Sequence, residues 1–138
     1  MHHRRLVASV GVLASAVAFL PVALAAPGDA AARPRATVEV ADSATLSPDG
    51  QTVTIEVTAS CARRWEVLEA FVTVSQPQTF GMGGIPLTCT GRPRTFTVNV
   101  TSLDLAFEPG DAQASALVLI EHRGRTQQAQ DSEVVQLA

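Results

Sequence analysis

The 138 residues contain no lysine and no tyrosine, and only three histidines, two cysteines and one tryptophan. Without lysine there is no Schiff-base or P-loop chemistry, and without tyrosine no phenol can act as acid or base. All ten cationic side chains are therefore arginines. An Ala- and Arg-rich composition of this kind fits a high-GC bacterial source.

What is present begins with an export signal. Met1-His2-His3-Arg4-Arg5 is a short basic opening, and the uncharged apolar run Leu6 to Leu20 follows. Pro21 and the small-residue site Ala23-Leu24-Ala25 come next, the features signal peptidase reads. Residues 1–25 are expected to be a signal peptide, cut after Ala25. The alternative is a retained membrane anchor, since the 21 residues from Leu6 to Ala26 are long enough to span. Arg4-Arg5 hints at twin-arginine export, and no cysteine near the cut suggests a lipoprotein.

The mature chain has 113 residues, enough for one domain. It carries eight arginines against thirteen acids, a formal charge of −5. That acidity argues against wholesale binding to nucleic acid or to an anionic membrane. Cys61 and Cys89 are an isolated pair, and in an exported chain such a pair is read as a disulfide. It closes a loop of 29 residues. On the chain-entropy model that closure is worth about 3.5 kcal/mol.

Residues 26–35 are Ala/Gly/Pro-rich and read as a disordered lead-in to a domain over 36–138. From there the pattern has period two. Thr37 to Val40 alternates, and Ser47-Pro48-Asp49-Gly50 is a turn. In Gln51 to Ser60, Val53, Ile55, Val57 and Ala59 share one face, and Cys61 continues it inward. Trp65 to Ser75 reads as a buried strand on its β-branched Val72-Thr73-Val74. Gln76 to Pro86, rich in Gly and Pro, reads as a loop or irregular edge. Short strands are expected at Leu87–Cys89, Thr95–Thr101, Asp111–His122 and about Gln127–Leu137. Arg123-Gly124-Arg125 is a hairpin turn between the last two. The expected fold is all-β, an antiparallel β-sandwich of about seven strands with one disulfide.

Several landmarks form a pattern: inward Cys61, Trp65, Gln76, Gly81 to Gly84, Cys89-Thr90-Gly91, Phe96-Thr97-Val98 and Pro109-Gly110-Asp111-Ala112. From Ala36 to Leu137 the chain resembles small secreted immunoglobulin-like domains of actinobacteria, a group whose function is largely uncharacterised. The resemblance implies an immunoglobulin-like sandwich and a binding or structural role, with no catalytic residues to carry over. One departure stands out. Trp65 follows Cys61 by four positions, whereas antibody-type domains place the tryptophan well after the first cysteine.

No catalytic set emerges. His122 is the sole histidine of the mature chain, and its neighbour Glu121 points the other way on a strand. Glu66 and Glu69 would pair as acid and base on a helix but face apart on a strand. One histidine and two oxidised cysteines cannot supply a zinc set. Asp104, Glu108 and Asp111 lack regular calcium-loop spacing. Gly81-Met82-Gly83-Gly84 has no strand–helix context for a phosphate. No enzyme activity, metal or cofactor is expected. Phe80, Met82 and Ile85 either form an apolar binding surface or cover the core edge.

One constellation remains. If consecutive strands alternate in direction, both cysteines fall at one end, as a disulfide requires. The same end then collects Arg63, Arg64, Arg92, Arg94, Arg123 and Arg125 in three turns, with Trp65 and His122 beside them. Asp49, Asp104, Glu108 and Asp111 gather at the other. Arginine forks bind carboxylate and phosphate bidentately. The expectation is a secreted domain whose arginine-rich end meets an acidic cell-wall polymer or an acidic protein surface. The competing reading is that these arginines merely solubilise turns or pair with Glu66, Glu69 and Glu121. Two further alternatives are a membrane-anchored surface domain and a small inhibitor acting through the 76–86 loop.

Overall fold

A computed structural model describes residues 34–138. The expected leader and most of the lead-in lie outside the described residues. Seven strands follow one another: β1 (Ala36–Leu46), β2 (Thr52–Cys61), β3 (Glu66–Gln76), β4 (Thr79–Gly84), β5 (Arg94–Ser102), β6 (Gly110–His122) and β7 (Arg125–Leu137). The described residues are all-β with one disulfide, Cys61–Cys89, whose Cα atoms lie 4.6 Å apart.

Alternation builds the interior. Val53, Ile55, Val57 and Ala59 of β2 meet Val98 and Val100 of β5, and the alternate residues Ala112 to Ile120 of β6 complete the wall. The intervening threonines face outward and bond across strands, as Thr58 does with Thr95 (2.9 Å) and Thr54 with Asn99 (3.0 Å). Burying such aliphatic side chains is worth about 1.5–3 kcal/mol each. Phe107, from the loop after β5, closes the lower end, its N–H bonded to the Gly50 carbonyl at 2.8 Å. In the turn beside it, the Ser47 hydroxyl and then the Gln51 N–H donate to Asp49 and hold its carboxyl below the usual range.

The strands do not separate into two open sheets, as a sandwich would. Their order is β1-β2-β5-β4-β3-β6-β7, and β7 returns to β1, so the sheet is a closed barrel. Every neighbouring pair is antiparallel except β1 with β7, which meet at Ser43–Gln136 and Ala44–Leu137. A bulge between Val40 and Ala44 bends β1 toward that seam. Above it, the Asp131 carboxylate accepts the Val40 N–H at 2.8 Å in place of a ladder bond. The opposite seam joins β4 to β5 at Gly81–Ser102 and Met82–Thr101.

That second seam corrects the reading of residues 76–86. They hold strand β4, paired with β3 from Phe71–Gly84 to Gln76–Thr79, and not a presented loop. Composition hid it because the alternation is inverted: Gly81 and Gly83 face inward while Phe80 and Met82 face out. A Cβ on Gly81 would lie 2.7 Å from the Thr101 carbonyl oxygen, and one on Gly83 closer still to that of Asn99. Only glycine lets the two backbones cross so closely. Ile85 is buried at the core edge, whereas Phe80 and Met82 are exposed.

Leu87–Cys89 forms no strand. Pro86 and Pro93 remove ladder donors, and the segment is held by the buried Leu87, the disulfide and the Gly91 N–H on the Cys61 carbonyl (2.9 Å). In β3, Leu68 is an extra residue between the Val67–Ile120 and Glu69–Leu119 pairs. The bulge shifts the alternation, so Glu66 and Glu69 are both exposed on the outer side and do not face apart.

Candidate functional site

Strand directions place three connections at the upper end: the β2–β3 turn, the long β4–β5 link and the β6–β7 hairpin. In the first, the Trp65 N–H donates to the Ala62 carbonyl (3.2 Å) and Arg64 takes φ 72°. A tight turn normally reserves that conformation for glycine. In the third, Arg123 (φ 51°) and Gly124 (φ 77°) form a two-residue turn between the paired His122 and Arg125. Two successive positive φ values match the twist of the strands they join, and Asn-Gly is the usual occupant. An arginine stands there instead.

β3 and β6 are hydrogen-bonded neighbours, with Glu66 opposite Glu121, so Trp65 and His122 meet just above that pair. Their ring centroids are 5.4 Å apart with planes inclined at 35°. His122 Nδ1 lies 2.9 Å from the Arg64 carbonyl oxygen. A carbonyl only accepts, so Nδ1 carries the proton. The imidazole is thus engaged by backbone, and it fixes the turn that projects Arg63 and Arg64.

The result is a cleft of about 530 Å³ lined by Arg35, Arg63, Arg64, Trp65, His122, Arg123 and Arg125. Five guanidinium-bearing residues surround one indole and one imidazole, and no acid lines the wall. Side-chain hydrogen bonds among the described residues are made by Ser, Thr, Asn, Gln, Asp and His, and none is donated by a guanidinium. Among the described residues, no hydrogen bond joins these arginines to Glu66, Glu69 or Glu121.

Arg92 and Arg94 stand at the same end but outside this cleft. Arg94 lies over the Phe96 ring, 5.7 Å from its centroid, and Arg92 is exposed on the β4–β5 link. Arg35 is the residue that sequence reasoning missed. Composition places it in the lead-in, yet its carbonyl accepts the Ala62 N–H at 2.7 Å, next to the Ala36–Cys61 pair. The sequence carried no mark of this, because the Ala36–Cys61 pairing that sets Arg35 beside the β2–β3 turn is a feature of the folded sheet.

Neither the family models nor the curated proteins searched match the sequence.

All seven arginines of the described residues lie at the upper end, and Asp49, Asp104, Glu108 and Asp111 lie at the lower one. Those lower acids form no metal cage: among the described residues no group of three or more His, Cys, Asp or Glu converges. Gln76 organises that end instead, its amide donating to the Glu108 carbonyl (2.8 Å) and accepting the Glu108 N–H (2.9 Å).

Proposed function

We propose that this chain is an exported, non-enzymatic binding domain whose arginine cleft holds an anionic polymer of a cell surface. The observation that carries the reading is the wall itself, five arginines with no acid among them. Export is supported by the N-terminal pattern and by the disulfide, a bond suited to oxidising compartments. An immunoglobulin-like ancestry is supported by the strand order. The seams at β1/β7 and β4/β5 divide the barrel into β1-β2-β5 and β4-β3-β6-β7, as two sheets drawn together at their edges would be.

Backbone conformation favours a role for these arginines beyond solubility. Elsewhere in the described chain every positive φ belongs to glycine, at Gly50, Gly91, Gly110 and Gly124. Holding an L-residue in that region costs about 1–2 kcal/mol. Arg64 and Arg123 bear that cost, and both line the cleft. Strained backbone of this kind clusters at functional sites, where the surrounding structure holds it in place.

Magnitudes select a polymer over a lone anion. In an open, solvated cleft each guanidinium contact is worth roughly 0.5–1 kcal/mol. Five such contacts reach only about 2.5–5 kcal/mol, which is millimolar-range binding. A chain of repeated anionic groups engages several arginines at once and rebinds before it leaves, so its affinity rises without new contacts. The test is retention of purified protein on native cell-wall material at low and high salt. Arg63→Glu with Arg125→Glu is expected to abolish retention, whereas Arg92→Glu with Arg94→Glu reduces it less. Salt-insensitive retention, or equal loss in both double variants, contradicts the reading.

A further inference from the structure

We infer that the cleft selects an anionic polysaccharide, with a sugar ring packed on Trp65 and the acid group of that sugar or its neighbour held by the flanking guanidiniums. The inference rests on the anion-binding reading of the cleft and narrows it to a ligand class.

Trp65 carries the argument. It is the sole tryptophan of the chain, half-buried, and part of the cleft wall. A cleft that served bare phosphate or carboxylate would gain nothing from it. The face of an indole carries negative quadrupolar density and repels an anion laid against it. What that face attracts is a cation or the polarised C–H face of a saturated ring. Arginine is the obvious cation, but the guanidinium–aromatic contact at this end is Arg94 over Phe96, outside the cleft. The indole is instead set in place by the tilted His122 ring, 5.4 Å away with its plane inclined at 35° and itself tied to the Arg64 carbonyl. An oriented aromatic platform ringed by bidentate donors matches a ligand with a flat apolar face and a charged rim. A uronic acid or phosphorylated sugar within a polymer has both, and inorganic polyphosphate has only the charge.

Because no other tryptophan is present, its emission reports on this cleft directly. The oxidised protein is titrated at low salt with polygalacturonate, with inorganic polyphosphate at equal charge concentration, and with neutral dextran. The expected result is a shift of Trp65 emission with polygalacturonate and at least tenfold weaker binding of the other two. By calorimetry, Trp65→Phe keeps most of that preference and Trp65→Leu lowers polygalacturonate affinity to the polyphosphate level. Should Trp65→Leu fail to fold, the three wild-type titrations decide alone. Polyphosphate binding as tightly as polygalacturonate overturns the sugar selectivity and leaves the anion cleft standing. Dextran binding as tightly, or none of the three binding, overturns both.

Discussion

Arg64 concentrates the tension between stability and function in one residue. Its φ of 72° belongs to glycine, its carbonyl anchors His122, and its side chain lines the cleft. Arg64→Gly keeps the carbonyl and relieves the strained backbone. The substitution is therefore expected to stabilise the fold by about 1 kcal/mol while weakening anion binding. Thermal melts and binding isotherms on the same samples check this, and a lower melting temperature counts against the strain argument. Trp65 and His122 were legible as neighbours from strand directions alone. The bond that orients them was not, because it runs to a backbone atom and carries no mark in the side-chain pattern.

At the level of elements, β4 shows how a strand escapes detection. Period-two reading looks for apolar residues inside, and here glycines take the inner positions because β5 crosses too closely for a Cβ. Gly83→Ala should cost about 1–3 kcal/mol by overpacking against the Asn99 carbonyl. Gly84→Ala, with nothing within 4 Å of its Cβ, should be nearly neutral. Urea midpoints of the two variants separate the explanations, and equal effects would contradict the crossing. The strands of β2, β5 and β6 were readable because apolar and polar residues alternate strictly along them. Barrel closure was not, since each seam depends on a local irregularity: the β1 bulge and the inward glycines. The disulfide acts at the same scale, tying the end of β2 to the irregular β4–β5 link beside the cleft. Removing it as Cys61→Ala with Cys89→Ala should lower stability by about 3.5 kcal/mol in urea unfolding. An unchanged midpoint would show that the link is held by packing alone.

For the molecule as a whole, the decisive property is the separation of charge along the barrel axis. A net charge of −3 over the whole sequence conceals a cleft lined by five arginines and no acid. Alternating strand direction was enough to foresee that end, and six of the eight expected residues line the cleft. Arg92 and Arg94 fall outside it, because the link between β4 and β5 carries no ladder and Arg94 turns onto Phe96. Salt should weaken ligand binding steeply, as the Debye length shrinks from about 10 Å at 0.1 M to about 3 Å at 1 M. The most direct test is amide chemical-shift mapping during titration with polygalacturonate at low salt. Perturbations confined to Arg35, Ala62–Trp65 and His122–Arg125 are expected. Shifts centred instead on Gln76–Thr79 and Ala106–Asp111, at the acidic end, would contradict the account.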